Sequence, residues 1–185
     1  MKLTYFLVLF CYTILFFSCV NDIAIVRKIT SKEEASVESG TTVELLYSSQ
    51  AHVKARLQTP LMERHNEKNP FTEFPKGLKL TFYNDSLVEN SNLTANYGIT
   101  NEDSHLMTVR DNVEVINING EKLNTEELVW NDQTQKITST KFVKIQTKDE
   151  IIYGDGLEAN QDLTNYKIKK IRGTISLKNS PLGNE

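Results

Sequence analysis

One short segment carries the residue types that most often do chemistry. Residues 154–163, GDGLEANQDL, place two glycines around Asp155, and Asp162 follows in the same stretch. Such a stretch could cradle a phosphate, hold a calcium ion or supply a pair of catalytic acids. However, no helix follows it to bind an anion, and the aspartate ladder and final glutamate of a calcium loop are missing. Both aspartates are therefore predicted to be surface turn residues.

The other reactive side chains form no recognisable active site. The three histidines, His52, His65 and His105, do not have the spacing of metal ligands. The two cysteines, Cys11 and Cys19, both lie near the amino terminus. The rest of the chain therefore has no nucleophilic thiol, and it has no Gly-x-Ser-x-Gly motif. The sequence predicts a protein that is not an enzyme, with no cofactor and no metal.

The amino terminus has the composition of an export signal. Lys2 precedes an apolar run over residues 3–17, and Ser18 and Cys19 follow it. This order resembles a bacterial lipoprotein signal, in which residues 1–18 are removed and Cys19 is lipidated, although Phe16 stands where leucine is usual. The alternative is an uncleaved membrane span, for which residues 3–20 are just long enough. Both alternatives anchor the chain to a membrane and place the rest outside the cytoplasm.

The remaining chain has the composition of one folded domain. Hydrophobic residues make up 39% of the full 185-residue sequence, which is enough for a packed core. The net charge of −3, with acids and bases interleaved, argues against a nucleic-acid partner. Residues 19–40 are predicted to be a lipidated amino terminus and tether, residues 41–180 the domain, and residues 181–185 a tail.

From Thr41 onward, apolar and polar residues alternate, as they do in half-buried strands. The clearest run is residues 51–59, and turn pairs such as Asn119-Gly120 and Asn131-Asp132 separate the runs. Residues 62–68 allow a short turn, but no stretch has the apolar stripe of an amphipathic helix. The sequence therefore predicts an all-β domain of many short strands.

A repeated Leu-x-small motif divides this domain into similar units. Its copies begin at Leu57, Leu93, Leu123 and Leu157, about 30 to 36 residues apart, which is typical of stacked repeats. The fourth copy lies inside GDGLEANQDL. Gly154 and Gly156 are therefore predicted to mark a bend or bulge in a strand, not a ligand loop.

Six segments, in this order and spacing, carry a resemblance to a known family. They are YSSQAHVKARLQTPLME (47–63), NPFTEFPKGLKLTFYND (69–85), SNLTANYGI (91–99), DNVEVININGEKLNTEELVW (111–130), ITSTKFVKI (137–145) and IIYGDGLEANQDLTNYKIKKIRGTI (151–175). Together they make the chain, over residues 43–177, resemble the LptC family of lipopolysaccharide export, in its lipoprotein-anchored form. Many members of that family keep an uncleaved membrane helix, so Cys19 is a departure from the pattern.

The resemblance implies an open, twisted β-jellyroll, a boat-shaped stack of antiparallel strands in quasi-repeats, with an apolar trough along its length. It implies a place at the periplasmic face of the inner membrane of a Gram-negative bacterium. Family members accept lipopolysaccharide from the subunits of an inner-membrane ABC transporter and pass it to a periplasmic bridge protein of similar fold. They stack edge to edge, the amino-terminal edge on the transporter and the carboxy-terminal edge on the bridge.

On this interpretation the domain is a non-catalytic lipid carrier whose apolar face holds the acyl chains. The expected trough residues are Leu45, Tyr47, Val53, Ala55, Leu57, Leu80, Phe82, Leu93, Ala95, Tyr97, Val113, Val115, Val143 and Ile145. The alternative is that these residues fill a closed core. A rival function is an extracytoplasmic β lipoprotein that serves as a scaffold in outer-membrane assembly and carries no lipid.

The docking edge for the bridge protein is expected within residues 166–177. Its lysines and Arg172 would deter unspecific strand pairing and steer an acidic partner. The two glycines of this edge are expected to matter because a side chain at a close strand approach would displace it. The expected edge residues are Gly154, Tyr166, Ile168, Ile171, Gly173 and Ile175.

Overall fold

The computed structural model describes residues 37–66, 68–101 and 104–177. The predicted leader, the predicted lipidation site at Cys19 and the predicted tail lie outside these ranges. Every regular element within them is a strand, so the predicted all-β fold is confirmed. The strands are β1 Val37–Ser49, β2 His52–His65, β3 Phe71–Phe74, β4 Leu78–Tyr83, β5 Glu89–Ala95, β6 Tyr97–Asn101, β7 Leu106–Asn117, β8 Lys122–Asn131, β9 Lys136–Gln146, β10 Glu150–Asn160 and β11 Tyr166–Ser176.

All these strands belong to one antiparallel sheet, consistent with a β-jellyroll-like fold. β3 and β4 both pair with β2, and β5 and β6 both pair with β7. Each of these two pairs therefore acts as one broken strand, and the sheet is a simple up-and-down meander. Within the described ranges β1 pairs only with β2, and β11 pairs only with β10, so the sheet has two open edges.

Two strand boundaries differ from those expected. β1 begins at Val37 and pairs along its length with β2, so residues 37–40 belong to the sheet and not to the tether. β2 continues to His65, although residues 62–68 allow a turn. The strand persists because β1 pairs with this end of β2 on one side and β3 pairs with it on the other.

Backbone irregularities interrupt the middle of several strands. Asn96 separates β5 from β6, and its N–H donates to the carbonyl of Asp111, a residue of β7 with positive φ, over 2.9 Å. Gly77, with φ 79°, separates β3 from β4, and an added Cβ there would lie 2.7 Å from the carbonyl oxygen of Ala95. Only glycine fits both the backbone angle and that contact. Such breaks let long strands bend and change which side chains face the core.

Gly154 and Gly156 mark the same kind of irregularity in β10. The register with β11 shifts between Tyr153 and Gly154, and the register with β9 shifts between Asp155 and Leu157. Gly156 has φ 78°, in the left-handed region that favours glycine. The prediction that Gly154 and Gly156 mark a bulge in a strand is therefore confirmed, and Asp162 lies in the turn after β10. The prediction that Asp155 is a turn residue is wrong, because Asp155 lies within β10.

A continuous apolar row crosses the sheet and explains most of the repeat. Each member pairs with the next across neighbouring strands, in the order Leu45, Leu57, Leu80, Leu93, Val115, Leu123, Ile145 and Ile152. Three of the repeated leucines belong to this row. The fourth, Leu157, pairs with Ser139 instead and lies further along β10 than Ile152, which is the β10 member of the row. We call this series the apolar row.

Aromatic contacts require the sheet to fold back on itself. The ring of Trp130 in β8 lies 5.3 Å, centroid to centroid, from both Phe82 in β4 and Tyr47 in β1. In a flat sheet, β4 and β8 would be about 14 Å apart, since β5 and β7 lie between them. The inner face of the sheet therefore meets itself, and the core lies between its two halves.

Candidate functional site

An apolar cavity of about 300 Å³ opens between β1 and the adjoining ends of β7 and β8. Its apolar wall comes from distant parts of the chain, because the folded sheet brings β1 next to β8. This wall consists of Leu45, Tyr47, Met62, Phe74, Leu106, Met107 and Trp130. Arg64, Thr72, Thr100, Asn101, His105 and Asp132 complete the lining. An apolar concavity with a few polar groups is the usual form of a small-ligand site.

The wall of this cavity is electrically neutral, and its charged groups lie at the rim. Burial, and then the nearby Asp132 carboxylate, raise the pKa of Tyr47 to about 12. The phenol is therefore uncharged at neutral pH. At the rim, His105 Nδ1 lies 3.1 Å from the Asp132 carboxylate, and both side chains are partly exposed. The arrangement favours an apolar ligand inside and a polar group outside.

The structure divides the predicted trough residues between the core and the cavity. Leu45 and Tyr47 line the cavity, and Val53 is half-buried. Ten others are buried, none more than 7% exposed, and fill the interior between the two halves of the sheet. These ten are Ala55, Leu57, Leu80, Phe82, Leu93, Ala95, Val113, Val115, Val143 and Ile145.

Tyr97 is the one predicted trough residue that points away from the interior. The alternation of Leu93, Ala95 and Tyr97 suggested that all three side chains lie on one face of the sheet. The break at Asn96 changes which residues face the interior, so that Gly98 is buried and Tyr97 is not. The Tyr97 hydroxyl donates to Glu73 Oε1 over 2.9 Å on the outer face. Burial, and then this bond, raise the pKa of Tyr97 to about 12.

The predicted docking residues lie along β11, which is an open edge of the sheet, except for Gly154, which lies in the neighbouring strand β10. Tyr166 and Ile168 are half-buried and pack against the core. Ile171 is 67% exposed and Ile175 is 52% exposed, as expected of a strand with an uncovered side. Arg172 Nε donates to Asp155 across the β10–β11 pair over 2.7 Å. Asp155 is thereby engaged in an ion pair within the sheet.

A comparison with known families settles the relationship suggested by the sequence. The model described as "Lipopolysaccharide-assembly, LptC-related" matches residues 6–176. The chain belongs to the LptC family. It is therefore a component of lipopolysaccharide transport, in a family that is non-catalytic and associated with the periplasmic side of the inner membrane. No curated protein matches the chain.

The segment predicted to anchor this LptC-family chain lies outside the part that the structure describes. In residues 37–66, 68–101 and 104–177 there is no helix with the length and apolarity to cross a membrane. Cys19 and the apolar leader precede these ranges.

Most of the cavity wall in this LptC-family protein was not predicted from the sequence. Phe74 lies in a four-residue strand that shows little alternation, and Met107 and Trp130 lie beyond the breaks in their strands. One signal was available. Trp130 is the only tryptophan in the chain and follows Leu128 at the spacing of a buried strand face.

The close strand approach expected at both Gly154 and Gly173 is found only at Gly154, so replacing the two glycines should have different effects. A Cβ at Gly154 would lie 2.5 Å from the Lys170 carbonyl oxygen and would overlap the Ile168 side chain, whereas a Cβ at Gly173 would meet nothing within 4 Å. Gly154→Arg should therefore push β11 away from β10 and lower the free energy of unfolding by about 1–3 kcal/mol. Gly173→Arg should change it by less than about 0.5 kcal/mol.

Urea denaturation followed by circular dichroism measures both variants, and hydrogen exchange of the β11 amides locates the change. Equal losses of stability in the two variants would show that the close approach at Gly154 does not hold this edge in place.

Proposed function

We propose that this protein is a non-catalytic carrier that takes lipopolysaccharide from the inner-membrane ABC transporter and passes it to a periplasmic bridge protein of similar fold. The observation that carries the proposal is the apolar cavity at the β1 edge, which meets the apolar row at Leu45. The row then runs across the sheet to Ile152 in β10, next to the opposite edge strand. An acyl chain entering at one edge would find apolar contacts towards the other.

Acyl chains bind first in the cavity and then between the two halves of the sheet. Each buried methylene contributes about 0.8 kcal/mol, so a few of them give useful affinity without a charged site. Deeper entry requires the halves to part and the contacts of Trp130 with Phe82 and Tyr47 to be lost. Aromatic pairs contribute about 0.5–1.5 kcal/mol each beyond their buried area. Several acyl methylenes in the same space offset that loss.

The two open edges provide the contacts with the neighbouring proteins. β1 is the edge for the transporter subunits, and it exposes Val37 and Leu46. β11 is the edge for the bridge protein, and its lysines and Arg172 limit pairing with other chains. Strand addition at such an edge uses main-chain hydrogen bonds for affinity. A docked neighbour would extend the sheet and with it the apolar surface.

The amino terminus keeps the carrier at the membrane. Either Cys19 is lipidated after removal of residues 1–18, or the leader remains as a membrane span. In both forms the residues between the anchor and β1 tether the domain at the periplasmic face, within reach of the transporter.

Depletion followed by complementation tests this function. Loss of the protein should leave lipopolysaccharide in the inner membrane, and the wild-type chain should restore it to the cell surface. Leu45→Arg places a charge in the cavity and should fail to restore it, because burying an unpaired charge is costly. Ile118→Arg is the control, since Ile118 is 68% exposed in the turn that follows β7 and lies outside both edge strands.

The outcome also separates the carrier from a scaffold without lipid cargo. Normal surface lipopolysaccharide after depletion would support the scaffold and contradict the carrier. Full restoration by Leu45→Arg would show that the cavity is not on the lipid path.

A further inference from the structure

A compact group of possible metal ligands lies on the outer face of β2 and β3. Glu63 and His65 are two residues apart on β2 and so share a face, and Glu73 lies directly opposite Glu63 on β3. One ligand atom from each of the three side chains lies within 4.8 Å of the other two. Sequence spacing alone did not suggest this group, because its third member comes from another strand.

The two glutamates face each other at a directly paired position. Like charges at such a position destabilise a sheet. Here the pairing of β2 with β3 and of β3 with β6 holds them together. The arrangement is therefore suited to a positive charge placed between the two carboxylates.

The imidazole of His65 has an unused nitrogen directed at this group. Its Nε2 atom is buried and makes no hydrogen bond, and it lies 3.7 Å from Glu73 Oε2, which is too long for one. A buried polar atom without a partner is costly. Two ligands bound at about 2.1 Å to a tetrahedral ion would be roughly 3.4 Å apart. The observed separation is close to that value.

Neighbouring side chains hold two of the three candidate ligands in place. The Tyr97 hydroxyl donates to Glu73 Oε1, which leaves Oε2 on the side of His65. The His65 ring stacks on Phe71, with ring centroids 4.3 Å apart and an interplanar angle of 9°. Outer contacts of this kind orient the ligands in established metal sites.

We propose that Glu63, His65 and Glu73 bind one divalent transition-metal ion, of which Zn²⁺ is the best fit. One imidazole and two carboxylates match its ligand preference, whereas calcium and magnesium favour all-oxygen sites. Water fills the remaining position. The ion links β2 to β3. Its position is directly behind the cavity wall, because Met62 and Phe74 are next in sequence to the ligands Glu63 and Glu73 and line the cavity on the opposite face of the sheet.

Isothermal titration of the full chain with ZnCl₂, in detergent and after treatment with a chelator, tests the site. The wild-type chain should bind one more zinc ion than His65→Gln. His105→Gln is the matched control, because His105 pairs with Asp132 outside the group, and it should bind as many ions as the wild type. Cys11 and Cys19 are present in all three chains, so zinc bound by them cancels in the comparison.

Two further variants distinguish a metal site from a simple ion pair. Tyr97→Phe should weaken zinc binding about 10- to 100-fold, the usual effect of removing an outer contact. Glu63→Gln should abolish zinc binding at this site. It should also raise the melting temperature of the metal-free chain, because it relieves the repulsion from Glu73. The same zinc count in the wild type and His65→Gln, or a lower melting temperature for metal-free Glu63→Gln, would overturn the proposal.

Discussion

Replacing Trp130 with alanine is expected to lower the free energy of unfolding by about 3–5 kcal/mol, the usual range for removal of a buried aromatic side chain. Trp130 is 2% exposed and joins the two halves of the sheet through Phe82 and Tyr47. Its indole nitrogen also donates to the buried Gln161 side chain over 3.0 Å. The variant loses this packing and leaves the Gln161 oxygen without its donor.

Urea denaturation measures this loss, with circular dichroism as the signal because Trp130 is the only tryptophan in the chain. Trp130→Phe is the control. It keeps an aromatic ring between the halves but loses the hydrogen bond, so a smaller loss of about 1–3 kcal/mol is expected. A loss below about 1 kcal/mol for Trp130→Ala would show that the two halves are not held together at this residue.

Ile171→Pro in β11 is expected to reduce capture of the bridge protein by about ten-fold or more. Proline removes a backbone N–H and fixes φ, both of which disturb strand pairing. The loss of one hydrogen bond is worth about 1 kcal/mol, and the distorted edge adds to it. Because Ile171 is on an edge strand and 67% exposed, most of the core should remain intact.

The matched control is Ile171→Ala, which shortens the same side chain but keeps the N–H group. Docking through the main chain predicts a mild effect for alanine and a severe one for proline. Both variants are compared in a pull-down of the bridge protein, after circular dichroism has shown that they are folded. Undiminished capture by Ile171→Pro would show that the docking surface is not on β11.

The strands and their faces could be predicted where alternation is uninterrupted. Ala55, Leu57, Leu80 and Phe82 alternate with polar residues, and all four are fully buried. Prediction from alternation fails at Tyr97, which lies on the outer face of the sheet. A break at Asn96 changes the face, and nothing in the local pattern of apolar residues reveals it.

The cavity could not be predicted from periodicity because it depends on how the sheet closes. Its wall combines Leu45 from the first strand with Trp130 from the eighth. These residues meet only once the sheet has folded back on itself. Glu63 and Glu73 likewise lie opposite each other because of the register between β2 and β3. Alternation alone does not specify a register.

The repeat was an informative signal with a structural meaning. Leu57, Leu93 and Leu123 fall on strands that run in the same direction, at the same level of the apolar row. The motif therefore recurs on every second strand position of the up-and-down sheet. Leu157 departs from this level, since it pairs with Ser139 and the β10 member of the apolar row is Ile152.

Photo-crosslinking in cells tests the central claim, that lipopolysaccharide passes along the inner face of this domain. A photo-reactive amino acid at Leu45 lies in the cavity, whereas one at the adjacent Leu46 lies on the exposed outer face. The carrier predicts that irradiation joins lipopolysaccharide to the Leu45 variant and not to the Leu46 variant. Capture at Leu46 without capture at Leu45 would contradict it.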